Sequence, residues 1–157
     1  MVAIREARGG EAAELAGIQE RASVSALAHI FPPREYPFPR AEVLARWEAF
    51  LEDAGTRVLV ADVDGSAVGV AAAAGDWLHG LYVVPEHWSS GIGSTLHDRA
   101  LECLRALGAT QCHLWVLEGN EQARRFYEGR GWRQNESTRV VPYPPHPLDV
   151  GYTRELT

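Results

Sequence analysis

The order of the elements predicted from this sequence indicates a mixed α/β fold. A strand and two helices come first, three strands follow, and helix, strand and helix then precede two last strands. Apolar residues recur at helical spacing in some segments and gather into short runs rich in valine and alanine in others. With 157 residues and 46% hydrophobic content, the chain is expected to form one domain over residues 1–157.

The N-terminal elements follow from apolar spacing. Residues 2–8 predict a short strand, and Leu15, Ile18 and Ala22 recur at the spacing of a helix. Residues 28–40 then carry four prolines and several aromatic residues. Prolines at this density exclude both a helix and a central strand, so we expect an ordered loop with aromatic anchors.

A second helix and a hairpin are predicted next. Residues 43–54 carry an apolar helical stripe that Gly55 closes. Residues 57–63 and 67–74 have the composition of strands, and the Asp64-Gly65 pair between them is typical of a tight hairpin turn. A further strand over residues 77–84 ends at Pro85.

The C-terminal half predicts two helices and three strands. A helix begins near Gly91 and ends at Gly108. Its expected buried face consists of Leu96, Ala100, Cys103, Leu104 and Leu107. Gln111–Leu117 is apolar on both faces, as a central strand is, and Asn120 is placed to cap a short helix. Residues 132–141 and 150–156 predict two last strands.

Composition excludes several function classes. The net charge is −6 and no basic patch is visible, so no nucleic-acid partner is expected. No apolar run approaches the roughly 20 residues of a membrane span, and the first residues lack a secretory signal, so a cytoplasmic protein is expected. Cys103 and Cys112 are expected to be reduced thiols, and the six histidines lack ligand spacing, so no metal site is predicted.

The stretch PEHWSSGIGSTL, residues 85–96, joins a strand to a helix through a turn containing glycine. The first N–H groups of a helix have no partner within it and carry partial positive charge, and glycines let a phosphate approach the backbone. A Walker-type loop needs a lysine where Ser94 stands, and a dinucleotide fingerprint needs a glycine or alanine where Leu96 stands. The turn alone is compatible with a pyrophosphate site or with close packing of the helix.

Two motifs together are specific. LYVVPEHWSSGIGSTL, residues 81–96, and LWVLEGNEQARRFYEGRGW, residues 114–132, resemble the acetyl-CoA motif and the following strand–helix motif of the GNAT N-acetyltransferase superfamily. The resemblance covers about a third of the chain. It implies a mostly antiparallel, twisted sheet of six to seven strands flanked by about four helices, with the parallel strands of Val83 and Val116 splayed to form a slot for CoA.

The resemblance also implies site residues. The pantetheine arm runs beside residues 82–84, the pyrophosphate sits on the amides of residues 88–94, and the helix after Asn120 supplies a wall. The implied cofactor contacts are Tyr82, Val83, Val84, Trp88, Ser89, Ser90, Gly91, Ile92, Gly93, Ser94, Asn120, Ala123 and Phe126. By the resemblance, Tyr127 holds the place of the general acid that protonates the departing CoA thiolate. A phenol suits this role because a phenol and a thiolate have similar basicity. The alternative for Tyr127 is a core aromatic residue.

The chain departs from the family pattern at three positions. Trp88 stands where arginine or glutamine is common, and Ser89 stands where glycine is common, so Ser89 requires a backbone angle that suits a side chain. Trp77 stands where some members carry a glutamate base. His79 lies two residues further on the same face of the strand and is the candidate base. The alternatives are a structural histidine at 79 and a mechanism without a dedicated base.

The acceptor site is expected between the two proline-rich segments, residues 29–38 and 141–147. Candidate substrate residues there are His29, Phe31, Glu35, Tyr36, Tyr143 and His146. The alternative is that both loops are held by their own aromatic residues. The resemblance predicts acetyl transfer from acetyl-CoA to a primary amine on a small molecule, with a homodimer possible. A CoA-binding regulatory module and transfer of another acyl group remain alternatives.

Overall fold

The computed structural model describes residues 1–156, which form seven strands and four α-helices. The helices are α1 (Ala12–Ala26), α2 (Arg40–Glu52), α3 (Ile92–Ala106) and α4 (Glu121–Glu128). The strands are β1 (Val2–Glu6), β2 (Thr56–Val63), β3 (Ser66–Ala74), β4 (Trp77–Val83), β5 (Gln111–Leu117), β6 (Arg133–Val140) and β7 (Leu148–Glu155). They form one sheet in the order β1-β2-β3-β4-β5-β7-β6, in which β4 and β5 are the parallel pair. The predicted fold class is confirmed.

The hairpin between β2 and β3 forms where the sequence predicts it. Asp64 and Gly65 both have positive φ angles, 50° and 85°, which two-residue hairpin turns of type I′ require. The two strands then pair antiparallel from Val63↔Ser66 to Thr56↔Ala74, with one register shift at Ala61/Asp62. Local turn chemistry therefore fixes the register of the N-terminal half of the sheet.

Helices cover both faces of the sheet. Tyr82 on β4 packs edge-on against Trp47 of α2, with ring centroids 6.3 Å apart. Its neighbour Val83 lies instead beside Gly93 of α3. Because successive side chains of a strand point to opposite faces, α2 and α3 lie on opposite sides of β4. The Trp47 indole also donates a buried hydrogen bond of 2.8 Å to Gln19, which ties α2 to α1.

The buried face of α3 agrees with its predicted stripe except at Cys103, which is half-buried, and at Leu107. Leu96, Ala100 and Leu104 are fully buried. Leu107, predicted to be buried, is 43% exposed, because α3 ends at Ala106 and the chain turns away before Gly108. The strand β5 is also less enclosed than predicted. Its even-numbered residues are buried and its odd-numbered residues are half-buried or exposed, so one face of β5 remains partly open.

A slot opens between the parallel strands. β4 and β5 pair at a single position, Trp77↔His113, and separate beyond it. Val84 donates its N–H to Val68 of β3, so by strand alternation the main-chain groups of Leu81 and Val83 point toward β5 and have no strand partner there. A register shift opposite Ala72/Ala73 adds a bulge to β4 where the two strands begin to part. The splayed pair implied by the resemblance is confirmed.

In residues 1–156, no helix combines the length and the apolar character that crossing a membrane requires.

Candidate functional site

A cavity of about 460 Å³ occupies the slot between β4 and β5. It is bounded by β4, the turn between β4 and α3, α4, and the C-terminal half of α1. Residues on its wall that the sequence analysis named are Tyr82, Val83, Trp88, Ser89, Gly91, Gly93, Ser94, Asn120, Ala123, Phe126 and Tyr127. Further residues of its wall, for which the sequence predicted no site role, are Ala22, Ser23, Ala26, Leu27, Leu81, His87, Gln122 and Arg130. The two motifs therefore meet on one cavity.

Three of the implied cofactor residues do not line this cavity. Val84 and Ile92 are 1% and 2% exposed, and their side chains belong to the hydrophobic core. Ser90 is exposed, and its hydroxyl donates a hydrogen bond to the His87 carbonyl within the turn. The contacts implied at these positions are main-chain contacts and stay predictions: the side chains of the two apolar residues anchor the turn from beneath, and the Ser90 hydroxyl closes it.

The turn between β4 and α3 presents the N-terminus of a helix to the cavity. A short 3-10 turn, Pro85–His87, follows β4, and α3 begins at Ile92 after Gly91, whose φ of 86° is left-handed. The first amides of α3 have no partner within the helix and carry the positive end of its dipole. Ser89 has a φ of 61°, so it adopts the strained backbone that a residue with a Cβ rarely takes.

Trp88 contacts the unpaired edge of β4. Its indole N–H donates a hydrogen bond of 2.6 Å to the Val83 carbonyl, one of the groups that face the slot. The position was noted in the sequence as a departure from arginine or glutamine, but this contact was not anticipated. It places a flat apolar ring on the cavity wall next to the turn between β4 and α3.

Arg130 supplies the cationic group that residue 88 lacks. One guanidinium nitrogen donates to the Phe126 carbonyl at 2.9 Å, and another donates to the Ser94 hydroxyl at the start of α3. The Arg130 guanidinium carbon lies 3.7 Å from the centre of the Phe126 ring, a cation–π contact. Arg130 lies outside the helical stripe used to read α4, so the sequence pattern gave no signal for it.

Tyr127 lies at the inner wall of the cavity and is 8% exposed. Its ring makes edge contacts with Phe126 at 5.2 Å and Trp132 at 5.8 Å. Burial raises the pKa of the Tyr127 hydroxyl, and the neighbouring Tyr82 adds to this shift. The hydroxyl therefore keeps its proton throughout the physiological range.

Two contacts fix the position of α4. The Asn120 side chain accepts a hydrogen bond of 3.3 Å from the Ala123 N–H, so the predicted helix cap is confirmed. At the other end of α4, the fully buried Tyr152 of β7 donates to Glu128 at 2.5 Å and accepts from Arg124 at 3.0 Å. The Tyr152 contacts join residues far apart in sequence and were not predicted.

A buried histidine lies behind the tyrosine. His97 of α3 is 1% exposed, and its Nε2 accepts a hydrogen bond of 2.9 Å from the Trp132 indole. Because an indole N–H only donates, the proton of the neutral ring sits on Nδ1, which faces Asp98 at 2.9 Å. Burial lowers the pKa of His97, so it is neutral at pH 7. This residue was missed because a histidine on an apolar helix face has no distinctive spacing.

His79, the predicted base, lies outside the cavity wall. It shares a face with Trp77 as expected, with ring centroids 6.4 Å apart, and it also contacts Phe50 of α2 at 5.5 Å. Burial lowers the pKa of His79, with further contributions from Arg46 and Arg139. The structure therefore places His79 in a separate cluster on the α2 side of the sheet, and its role as a base stays a prediction.

The two proline-rich segments do not line this cavity, and the acceptor site expected between them stays a prediction. His29 is held by a hydrogen bond of 2.8 Å to the Gly119 carbonyl, and its neighbour Ile30 packs on Gly119. Phe31, Glu35 and Tyr36 lie in the same loop, exposed or half-buried. Tyr143 and His146 are exposed in the connection between β6 and β7, where His146 contacts the Val141 carbonyl at 3.1 Å. The first loop spans the gap toward α4 instead of lining the slot.

Comparisons with known proteins identify relatives. The sequence profile of the Acetyltransferase (GNAT) family matches residues 23–132. A protein of Archaeoglobus fulgidus named an uncharacterized N-acetyltransferase is 37% identical over 91 residues, which cover 51% of this chain and 62% of that protein. The chain thus spans less than two thirds of this relative.

A second relative extends over nearly the whole chain. The peptidyl-lysine N-acetyltransferase YjaB of Salmonella typhimurium is 32% identical over 148 residues, covering 92% of this chain and 94% of that protein. Among solved structures, the PaiA N-acetyltransferase of Thermoplasma acidophilum, in complex with coenzyme A, has the same fold, with a TM-score of 0.76. It is 19% identical and covers 99% of both chains.

Proposed function

The chain belongs to the acetyltransferase (GNAT) family, and we propose that it moves an acetyl group from acetyl-CoA to a primary amine by direct attack. The observation that carries this proposal is the shared cavity. One space joins the unpaired edge of β4, the free amides at the start of α3 and the buried hydroxyl-bearing residue Tyr127. These are the parts that binding a long diphosphate ligand and cleaving a thioester require.

Three features of the cavity support CoA as its ligand. The diphosphate is assigned to the amides of the turn that ends at Gly93, where the helix dipole and the Arg130 guanidinium both favour negative charge. The pantetheine arm is assigned to the main-chain groups of Leu81 and Val83 that have no strand partner; of these, the Val83 carbonyl already accepts from the Trp88 indole. Ala123 and Phe126 on α4 form the opposite apolar wall.

Tyr127 is the proposed general acid. Acetyl-CoA supplies a thioester, whose carbonyl carbon accepts the new bond to nitrogen as the carbon–sulfur bond breaks. The Tyr127 hydroxyl gives its proton to the departing sulfur, and the proton lost by the amine passes to water. Because its pKa is raised, Tyr127 is present as the protonated acid at every working pH. General acids in such positions contribute about 10²- to 10⁴-fold in rate.

No dedicated base is needed in this proposal. His79 lies in the cluster on the α2 side of β4, and the cavity wall carries His87 at the phosphate end, beside the turn. We therefore assign the acceptor a neutral amine when it attacks. A site without an assigned base also favours a second candidate function, in which the protein binds CoA and regulates a partner without transferring the acetyl group.

One experiment separates these functions. Purified protein is incubated with acetyl-CoA and a panel of primary amines, including a lysine peptide because one relative is named for that substrate, and free CoA thiol is measured. Acetyl transfer predicts CoA release with at least one amine and loss of release in Tyr127→Phe. Calorimetric binding of CoA without release for any amine supports the regulatory candidate. Absence of CoA binding by folded protein refutes both.

A further inference from the structure

A row of aromatic rings lies on the α2 side of the sheet, next to the β4 bulge. Phe50, His79, Trp77 and Trp115 follow one another with centroid separations of 5.5, 6.4 and 5.9 Å. Trp77 lies within 20° of parallel to His79 and within 25° of parallel to Trp115. We call these four rings the aromatic row. All four are half-buried, so part of each ring remains open to solvent.

Each end of the aromatic row carries an arginine. The Arg46 guanidinium lies 5.1 Å from the centre of the Phe50 ring and donates a hydrogen bond of 3.0 Å to the His79 carbonyl. The Arg139 guanidinium lies 4.7 Å from the centre of the Trp115 ring. A flat apolar surface with a cation at either end is thus built from α2, β4, β5 and β6.

The two arginines differ in their charge balance. Arg139 is paired with Asp149, which is 8% exposed, at 2.8 Å. Arg46 contacts the His79 carbonyl, the Phe50 ring and the Tyr82 hydroxyl, and within residues 1–156 no carboxylate lies in ion-pair range of it. In a chain with a net charge of −6, an unneutralised guanidinium beside open aromatic rings selects an anion attached to an apolar group.

The aromatic row is continuous with the catalytic cavity. Its member His79 is the bulged residue of β4, and Trp77, two residues earlier, holds the one position at which β4 pairs with β5. Tyr82 continues the same face, packs on Trp47 of α2, and lines the cavity. Burial raises the pKa of Tyr82; Asp149 adds to this shift and Arg46 opposes it. Burial also raises the pKa of Tyr127, and Tyr82 adds to that shift.

We propose that the aromatic row and Arg46 bind the acceptor, and that the acceptor is a small amine carrying a carboxylate and a flat or apolar group. The substrate class is then α-amino acids with aromatic or large apolar side chains. In this arrangement Arg46 holds the carboxylate, the rings hold the side chain, and the amine points toward the cavity. The inference rests on the proposed acetyl transfer and replaces the proline-rich loops as the acceptor site.

Matched acceptors test the carboxylate requirement. L-phenylalanine, L-phenylalaninamide, 2-phenylethylamine, spermidine and a lysine peptide are compared by CoA release with acetyl-CoA. We expect kcat/KM for L-phenylalanine to exceed that for its amide by about tenfold, which corresponds to about 1.4 kcal/mol. The amide has the less basic amine, so amine basicity alone would favour the amide. Equal rates, or preference for spermidine or the lysine peptide, would overturn the proposal.

Variants locate the effect. Arg46→Met keeps the length of the side chain and removes its charge, so the preference for L-phenylalanine over the amide should fall to about onefold, whereas Arg46→Lys should retain part of it. Arg99→Met is the matched control, since Arg99 is half-exposed on α3 and pairs with Glu102 at 3.7 Å. An unchanged preference in Arg46→Met overturns the assignment of Arg46.

A binding measurement separates this inference from the proposed function. N-acetyl-L-phenylalanine and its amide are titrated into the CoA-loaded protein while tryptophan fluorescence is followed. If the carboxylate compound binds better than its amide and Arg46→Met removes this preference, the acceptor site is supported, even if no amine causes CoA release. In that case only the proposed acetyl transfer is refuted. Equal or absent binding of both compounds, with CoA release from other amines, refutes the acceptor class and leaves acetyl transfer standing.

Discussion

Gly91, just before α3, and Gly93, in the first turn of α3, differ in what they contribute to stability and to CoA binding. Replacing each by alanine therefore separates an effect on folding from an effect on binding. Gly91 has a φ of 86°, so alanine there must adopt a left-handed backbone, at a cost of about 1–2 kcal/mol. Gly93 is helical, and a Cβ built on it meets Phe126 at 3.4 Å and 3.7 Å and Val83 at 3.9 Å, all ordinary contacts. Alanine in a helix is favoured over glycine by about 0.5–1 kcal/mol.

The prediction is that Gly93→Ala leaves the protein as stable as the wild type, or more stable, and yet weakens CoA binding. The new methyl group points at the cavity wall formed by Phe126 and Val83, where it holds the diphosphate away from the amides. We expect the Kd for CoA to rise about ten- to hundredfold, or about 1.4–2.8 kcal/mol. Gly91→Ala should instead lower the Tm by about 2–8 °C.

Thermal melts with and without CoA measure both quantities in one series. CoA at about 100 times the wild-type Kd stabilises that protein by about 2.7 kcal/mol, and a tenfold weaker site reduces this to about 1.4 kcal/mol. Calorimetry gives the Kd directly. Wild-type affinity in a stable Gly93→Ala protein would refute the placement of the diphosphate on this turn.

Three further predictions follow from single residues. Tyr127→Phe should lower kcat by about 10²- to 10⁴-fold with an unchanged Tm, and an unchanged kcat would exclude the general-acid role. The wild-type pH–rate profile should show no alkaline decline from Tyr127, because burial raises the pKa of its hydroxyl. Burial lowers the pKa of His97 in the folded protein below the unfolded value of about 6.5, so the free energy of unfolding decreases as the pH falls below about 6.5, by up to about 1.4 kcal/mol per pH unit. In urea denaturation from pH 5 to 8, the stability of His97→Gln should therefore depend less on acid than that of the wild type. Identical pH profiles would contradict this. Hydrogen bonds from Arg5 lower the pKa of Glu11 from 4.5 to about 2. The Glu11 carboxylate therefore stabilises the fold fully above about pH 4.5, and this stabilisation is lost as the pH falls toward 2. Measured by urea denaturation, Glu11→Gln should lower the free energy of unfolding by about 1–2 kcal/mol at pH 7 and by little at pH 2.

Local patterns predicted most of the elements and the two ends of the CoA slot. The hairpin turn at Asp64-Gly65, the cap at Asn120 and the start of α3 after Gly91 each depend on neighbouring residues, so their sequence carries the necessary information. The expectation that Ser89 takes a backbone angle suited to a side chain is wrong, because its φ is 61°, in the left-handed region.

Contacts between distant segments were beyond sequence patterns. The side chain of Arg130 reaches Ser94 across 36 positions, and Trp132 reaches His97 across 35. Leu107 was wrongly predicted to be buried because helical spacing continues beyond the residue at which the helix ends. The proline-rich loops do not line the cavity beside β4, because composition does not say what a loop faces. The acceptor site expected between them stays a prediction.

The sequence by itself determined the fold class, the family and the turn that leads into α3, since spacing, caps and glycines act over a few neighbouring positions. Only the tertiary structure decided which charged groups stand beside that turn and where the open rings lie. The aromatic row joins α2, β4 and β5, and its arginines come from α2 and β6. Strand order and sheet twist bring these segments together, and neither is encoded in the spacing of residues along any one of them.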